Sequence, residues 1–217
     1  MPTPIDAELV EFRDWIFRLR PATAIPSRLL VMVHGWTGDE NSMWIFARKL
    51  PAQVTVMAPR GPFRAPGGGF TWREGKPETG SLPVLDELRP SAEALIGLID
   101  DWSKAYGLNA SQFGLIGFSQ GAALSYTLAF LNPERIRSLA VLSGFMPGGA
   151  QEFLSRRLLD GKVVYIAHGR QDQMVPVQEA RTSVTLLESS GARVIYCESD
   201  GGHKVSPDCF TGLAELF

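Results

Sequence analysis

The sequence predicts a three-layer α/β domain in which helices cover both faces of a mainly parallel sheet. Short apolar runs of strand length alternate with longer stretches of helical periodicity through most of the chain. Runs that are apolar almost throughout are typical of parallel strands buried on both faces. These runs are Leu29–Val33, Val54–Ala58, Phe113–Phe118, Leu139–Leu142, Val163–Ala167 and Val194–Cys197.

A different pattern precedes them, between Phe12 and Arg20. Trp15, Phe17 and Leu19 alternate there with charged residues, as in a strand with one face in solvent. We therefore expect an antiparallel edge strand over this segment.

Three stretches have the pattern of helices. Apolar residues recur at three- and four-residue steps over 85–102, and Pro90 inside that stripe predicts a helix start near Ser91 or a kink. The stretch 121–131 is almost wholly apolar, as in a helix covered on all sides. The stretch 176–190 begins with a proline, which is typical of a first helical turn.

The composition excludes several classes of protein. The 217 residues are 45% apolar and carry a net charge of −2, which suits one substantial core and a single domain over residues 1–217. A chain without a basic excess is not expected to bind nucleic acid. The longest uninterrupted apolar runs are five residues, whereas a membrane-spanning helix needs about 20. We therefore expect no stable membrane insertion.

The chain start and the cysteines indicate a compartment. The first ten residues carry Asp6 and Glu8 and no apolar segment typical of a secretory signal. Cys197 and Cys209 are too few for a disulfide framework and too far apart for a CxxC pair. With His203 they match no common zinc spacing, so no metal is expected. A reducing, cytoplasmic setting is the expectation.

Polar residues directly after parallel strands are candidates for chemistry, because ligands bind at the carboxyl ends of such strands. One strand ends in Gly117-Phe118-Ser119-Gln120-Gly121, and the wholly apolar helix follows at once. This is a G-x-S-x-G nucleophile elbow in its strand–turn–helix context. Ser119 must hold a strained backbone that exposes its hydroxyl, and side chains at positions 117 and 121 would clash with neighbouring backbone. Ser119 is the candidate nucleophile; the alternative is a glycine-rich turn with an incidental serine.

A serine nucleophile needs a base, and the chain has three histidines. His34 and His168 each end a strand and precede a glycine, where histidines often anchor loops. His203 lies after the last strand, in a glycine-rich loop, and only it leaves room for an acid in the order serine, acid, histidine. His203 is the candidate base, with His34 and His168 as alternatives.

The acid that orients the base should follow a strand between the serine and the histidine. Asp172 lies there, just past the fifth apolar run, although it also suits a cap for the next helix. Glu134 and Asp160 precede that run and so belong at the wrong end of the sheet. Asp200 is close in sequence to His203. Asp172 is therefore the candidate acid.

Two backbone N–H groups are expected to hold the oxyanion of a tetrahedral intermediate. One belongs to Gln120, the residue after the nucleophile. The other is expected in the loop 34–39, where Trp36 N–H is the best candidate; a plain glycine turn is the alternative there. Gly67-Gly68-Gly69 matches no phosphate-binding motif and indicates a flexible loop.

With these residues placed, the chain from about Leu29 to Pro207 resembles the carboxylesterase, phospholipase and acyl-protein thioesterase family of small α/β-hydrolases. The resemblance implies the α/β-hydrolase fold, a triad of Ser119, Asp172 and His203, oxyanion donors at Trp36 and Gln120, and no metal or organic cofactor. Five blocks carry it: His34-Gly35 with Gly38-Asp39-Glu40, Gly117 to Ala122, Leu142-Ser143-Gly144-Phe145, His168-Gly169 with Asp172 and Val175-Pro176, and Gly202-His203 with Ser206-Pro207.

The residues expected to contact a substrate are Trp36, Phe70, Trp72, Phe145, Met174 and Val175. Two positions depart from the family pattern. Members often have a small or aliphatic residue at the position of Trp36, and commonly a Trp-Phe pair where this chain has Trp72-Arg73.

These observations predict a serine hydrolase that cleaves small-molecule carboxylic esters through an acyl-enzyme. The interval of about 20 residues between Leu142 and Val163 is too short for a cap domain, so we expect short to medium acyl chains. The resemblance adds thioesters and lysophospholipids. An acyltransferase and a non-catalytic ligand-binding module on the same fold are the alternatives.

Overall fold

Ten strands and five α-helices alternate along residues 7–24, 27–75, 82–214 and 216–217, the part of the chain that the computed structural model describes. Two 3₁₀ helices, Trp44–Lys49 and Pro133–Arg135, lie between them. The strands are β1 (Glu8–Phe12), β2 (Trp15–Arg20), β3 (Arg28–Val33), β4 (Val54–Pro59), β5 (Phe63–Arg64), β6 (Phe70–Thr71), β7 (Phe113–Phe118), β8 (Ile136–Leu142), β9 (Val163–Gly169) and β10 (Arg193–Ser199). The α-helices are α1 (Leu85–Tyr106), α2 (Gln120–Leu131), α3 (Gln151–Ser155), α4 (Val177–Ser189) and α5 (Pro207–Ala214).

Eight of these strands form one sheet in the order β1-β2-β4-β3-β7-β8-β9-β10. The six strands from β4 to β10 in this order run parallel, and β1 and β2 pair antiparallel at one end. The six apolar runs all form strands of this sheet, which confirms the predicted fold. β5 and β6 form a separate two-stranded hairpin beside the carboxyl end of β3.

The expected edge strand over Phe12 to Arg20 is wrong in detail. The segment contains a turn at Arg13 and Asp14, with Arg13 at φ +53°. Phe12 ends β1, which is the true edge strand, and β2 is the second strand, paired with both β1 and β4. The two consecutive charged residues of the turn interrupt the alternation, and this interruption indicates in the sequence that a turn divides the segment.

Helix α1 begins earlier than Pro90 suggested. The Glu87 carboxylate accepts the Val84 N–H at 2.9 Å, and the Leu85 N–H donates to the Gly148 carbonyl at 2.8 Å. These bonds fix the helix start at Leu85, so Pro90 lies inside the helix, where its missing N–H leaves the Asp86 carbonyl without its helical donor.

Helices cover both faces of the sheet and divide the core in two. Helices α1, α2 and α4 contribute the apolar residues packed on one face. The 3₁₀ helix Trp44–Lys49 and α5 contribute those on the other. Helix α2 is buried over almost its whole length, as its unbroken apolar pattern predicts. Within the described residues, every helix is too short or too polar to cross a bilayer.

The two cysteines, which are too few for a disulfide framework, are nevertheless bonded to each other. Cys197 in β10 and Cys209 in α5 form a disulfide, with their Cα atoms 5.7 Å apart. Packing of α5 against the sheet, where the Tyr165 hydroxyl donates to the Cys209 carbonyl at 2.5 Å, brings the second cysteine back to the strand. Sequence spacing alone did not reveal this approach. The bond closes the segment that contains His203.

We expect removal of this disulfide to lower the free energy of unfolding. Closing a loop with a sequence separation of 12 residues restricts the unfolded chain by about 3 kcal/mol. Urea denaturation of Cys197→Ser, with and without reductant, measures the loss. Reductant should destabilise the wild-type protein by a similar amount and leave the variant unchanged. Equal stability of the two proteins without reductant would contradict the stabilising role of the bond.

Candidate active site

Ser119 occupies a strained turn between β7 and α2. Its backbone has φ +54° and ψ −118°, a region that non-glycine residues adopt at a cost of about 1–3 kcal/mol. The glycines on either side permit this turn. A Cβ at Gly117 would lie 2.3 Å from the Gly121 carbonyl oxygen, and one at Gly121 would lie 2.2 Å from the Val33 carbonyl oxygen. The steric reason for the G-x-S-x-G pattern is thus confirmed.

His203 and Asp172 come together although they lie on separate loops. The Nδ1 of His203 is 2.8 Å from Oδ2 of Asp172. The second oxygen, Oδ1, accepts the N–H groups of Met174 and Val175, both at 2.9 Å. Because Nδ1 faces the carboxylate, the neutral ring carries its proton there, and Nε2 is left with the lone pair that a general base needs.

The His203 ring also packs beside the nucleophile turn. Its centroid is 4.9 Å from that of Phe118, the residue before Ser119. The loop after β3 approaches the same turn from another side, because a Cβ at Gly35 would lie 3.2 Å from the Ser119 Cβ. The structure therefore brings together the serine, the histidine, the acid and the predicted oxyanion loop.

Gln120 begins α2, and its N–H lies in the first helical turn, where the helix supplies no carbonyl partner. The positive end of the helix dipole favours a developing negative charge at this point. The Gln120 side chain is held away from that position. Its Oε1 accepts the Thr71 hydroxyl at 3.0 Å and the Trp72 N–H at 3.1 Å. The Gln120 backbone N–H is thus held in place, while the side chain bonds to β6 and to Trp72.

His34 anchors the loop that carries Trp36. Its Nε2 accepts the Gly61 N–H at 2.8 Å, so Nδ1 holds the proton and donates to the Gly35 carbonyl at 2.7 Å. Burial lowers the pKa of His34 from its ordinary 6.5 to about 4, so the ring is neutral at physiological pH. His34 is therefore a buried loop anchor rather than a base.

His168 is also an anchor. It is buried, and its Nε2 donates to the Val175 carbonyl at 2.9 Å and lies 3.4 Å from Oδ2 of Asp172. Of the three histidines, His203 is the one that borders the Ser119 turn with an available Nε2.

A family model described as phospholipase/carboxylesterase matches residues 21–215. The chain belongs to this family. Among relatives in the phospholipase/carboxylesterase family, a probable inactive carboxylesterase of Oryza sativa subsp. japonica is 28% identical over 80% of this chain and 77% of its own length. Acyl-protein thioesterase 1 of Debaryomyces hansenii is 27% identical over 78% of this chain and 81% of its own. The stated resemblance is confirmed.

Solved structures agree on the fold of this phospholipase/carboxylesterase family member. A carboxylesterase from Mesorhizobium loti superposes with a TM-score of 0.79 at 23% identity, covering 97% of each chain. Esterase PE8 superposes with a TM-score of 0.76 at 22% identity, covering 91% of this chain and 95% of its own. At these identities the likeness establishes the α/β-hydrolase fold.

The six predicted substrate contacts divide by exposure. Trp36 and Met174 are 43% and 67% exposed and flank the site, and Phe70 is half-buried. Phe145 and Val175 are buried in the core.

The prediction for Trp72 does not fit its placement. Its side chain is fully buried, and its indole N–H donates to the His34 carbonyl at 2.8 Å. The aromatic ring lies beneath the site and supports the loop after β3. Periodicity and spacing in the sequence did not indicate this structural role.

Sequence reasoning missed a charged cluster that joins the loops of Asp172 and His203. At its centre is Glu198 of β10, which accepts the Arg170 Nε at 2.7 Å and the Arg181 Nε at 2.9 Å. Arg170 also pairs with Asp200 at 2.7 Å. The Arg181 guanidinium and then the Tyr196 hydroxyl lower the pKa of Glu198 to about 2. In the sequence, nothing distinguishes these charged residues at strand ends from ordinary solvent-exposed charged residues.

Backbone contacts strengthen the same junction. The N–H groups of Arg170 and Gln171 donate to the carbonyls of Ser199 and Gly201, both at 2.8 Å. Gly169 allows this approach, because a Cβ there would lie 2.3 Å from the Gly201 carbonyl oxygen. The acid loop and the base loop are therefore held as one unit.

We expect stability to fall as the pH is lowered from about 6.5 to 4. In this window the unfolded chain protonates His34 while the folded state, with its pKa of about 4, does not. The expected loss is about 3 kcal/mol. Urea denaturation across these pH values measures it. His34→Gln should be less stable at pH 7 but lose less stability in the window. Parallel curves for the two proteins would contradict the assignment.

We expect Glu198→Gln to reduce kcat about tenfold while leaving KM unchanged, because a displaced His203 affects the chemical step rather than binding. Steady-state kinetics on one soluble ester measures both constants. Asp160→Asn is the matched control, since it removes an exposed carboxylate paired with Arg157 at the other end of β9. Equal effects of the two substitutions would show that the cluster does not position the base.

Proposed function

We propose that the protein is a serine hydrolase that cleaves carboxylic esters through an acyl-enzyme. The observation that carries this proposal is the bond between His203 and Asp172 beside the strained turn of Ser119. The three residues follow the order serine, acid, histidine expected for an α/β-hydrolase. Membership of the phospholipase/carboxylesterase family supports the same chemistry.

In the proposed reaction, Oγ of Ser119 attacks the ester carbonyl carbon while Nε2 of His203 takes the hydroxyl proton. The N–H groups of Trp36 and Gln120 bind the oxyanion of the tetrahedral intermediate. Collapse of the intermediate breaks the bond to the alcohol, which leaves with the proton from His203. Water then attacks the acyl-enzyme with the same base, releases the acid and restores Ser119.

One relative is named a probable inactive carboxylesterase, so activity has to be argued from this chain's own residues. Ser119, Asp172 and His203 are all present, and the acid–base hydrogen bond is formed. The N-terminus of α2 faces the turn. These features support a working hydrolase.

The substrates we propose are soluble esters with short to medium acyl chains. Between β8 and β9 the chain carries only α3 and turns, so no cap covers the site there. Trp36 and Met174 present apolar surface beside it. Thioesters extend the proposal, and the Debaryomyces hansenii relative named an acyl-protein thioesterase supports this extension.

The disulfide bears on the compartment. Disulfides persist in oxidising compartments and are rare in the reducing cytosol. The bond between Cys197 and Cys209 therefore argues against the cytoplasmic setting expected from the sequence. We propose that the protein works where this bond is kept oxidised.

Ser119→Ala should fold normally and lose nearly all esterase activity, by about 10⁴-fold or more, because the acyl-enzyme cannot form. Hydrolysis of p-nitrophenyl butyrate measures the loss. A fluorophosphonate probe, located by mass spectrometry, should label Ser119 in the wild-type protein. Turnover by the variant near the wild-type rate would rule out the covalent mechanism.

Asp172→Asn should lower kcat strongly, because the amide cannot stabilise the imidazolium. Asp200→Asn removes one exposed ion pair with Arg170 and should reduce activity far less than Asp172→Asn does. A silent Asp172→Asn together with an inactive Asp200→Asn would identify Asp200 as the acid.

A p-nitrophenyl ester series from acetate to palmitate should give its highest kcat/KM at short or medium acyl chains, because the open site offers little apolar wall for a long chain. A maximum at palmitate, with activation at an oil–water interface, would refute the proposed acyl-chain range.

A further inference from the structure

A cleft of about 430 Å³ opens beside the triad on the face of the sheet covered by the 3₁₀ helix Trp44–Lys49. Its volume lies in the range of small-molecule sites, about 300–1,000 Å³. None of its lining residues except Trp36 was predicted from the sequence. The lining includes Trp36, Met43, Ile45, Phe46, Phe118 and Val205.

The cleft is built from the neighbours of the reacting groups. Phe118 directly precedes Ser119, and Lys204 and Val205 directly follow His203. The opposite wall comes from Trp36 in the loop that supplies an oxyanion donor. An ester bound at Ser119 therefore has the cleft within reach of one of its two arms.

Geometry selects the alcohol arm. The leaving oxygen has to face Nε2 of His203, because that nitrogen returns the proton to it. Phe118 lines the cleft, and the centroid of its ring lies 4.9 Å from that of the His203 imidazole. A group attached to the leaving oxygen would therefore lie against Phe118 and enter the cleft.

The lining defines the chemistry of the occupant. Met43 and Phe46 form a buried apolar floor, and Ile45 is 64% exposed at the mouth. Among the described lining residues, Lys204 is the one that carries a charge. A cationic alcohol would meet this ammonium group and no carboxylate, so desolvation of its charge would go uncompensated.

Resting on the proposed function, we propose that this cleft binds the alcohol portion of the ester and selects neutral apolar alcohols. Met43, Ile45, Phe46 and Val205 are then specificity-determining residues for the leaving group. The protein discriminates among alcohols more strongly than its open acyl side discriminates among acids.

Butyrate esters that differ only in the alcohol test this proposal. From methyl to butyl to hexyl butyrate, kcat/KM should rise by up to about fourfold for each methylene buried. The neutral isostere of butyrylcholine, 3,3-dimethylbutyl butyrate, should be hydrolysed about tenfold faster than butyrylcholine itself. Flat rates across the alkyl series, or a preference for butyrylcholine, would overturn the proposal.

Ile45→Asp adds a carboxylate at the mouth and should invert the charge preference in favour of butyrylcholine. Leu186→Asp is the matched control, an equally drastic change at an exposed residue of α4 on the other face of the sheet. It should leave both rates unchanged. Equal behaviour of the two variants would overturn the proposal. If Ile45→Asp does not fold, Ile45→Trp narrows the mouth and should remove the gain from longer alcohols.

Deacylation separates the alcohol arm from the acyl arm. All butyrates form the same acyl-enzyme, so its hydrolysis after departure of p-nitrophenol should be unchanged in Ile45→Asp. Slower deacylation would place the acyl chain in the cleft and overturn the proposal. Absence of fluorophosphonate labelling at Ser119 would instead refute the proposed function, whereas normal labelling with flat alcohol rates would refute the cleft assignment alone.

Discussion

The close packing of α2 against the end of β3 is the constraint on which the site depends. Gly121 lies so near the Val33 carbonyl that a single added carbon would overlap it. This contact sets the distance between the first turn of α2 and the end of β3. The short connection that results forces the strained backbone of Ser119. It also brings the Gln120 N–H and the loop after β3 to the same point. The strain is held because α2 is buried on all sides.

The other half of the site is held by a different device. Helix packing does not position His203; its loop is fixed by the disulfide behind it, the Glu198 cluster beside it and the backbone bonds to the acid loop. The exposed ion pairs of the Glu198 cluster contribute little on their own. Together, the disulfide, the cluster and the backbone bonds connect β9, β10, α4 and α5, so the orientation of the imidazole depends on the whole edge of the sheet.

Sequence reasoning captured the fold and the elbow because both depend on local patterns. Buried parallel strands need unbroken apolar runs, and the turn at Ser119 needs glycines at positions 117 and 121. It failed where the outcome depends on contacts between residues that are far apart in the sequence. Nothing near Cys197 indicates that α5 returns to it, and nothing near Trp72 shows that its ring will lie under His34. The helix start predicted from Pro90 was wrong, because a cap formed by Glu87, earlier in the chain, determines where α1 begins.

The two residues proposed as oxyanion donors differ in how freely their side chains can vary. The Gln120 side chain is buried and bonded to β6, so any replacement would disturb Thr71 and Trp72. The donor proposed at Trp36 is its backbone N–H, and its side chain is 43% exposed. Position 36 can therefore change its side chain without moving the donor. Substitutions at this position therefore change the surface that a substrate meets while the backbone N–H stays in place.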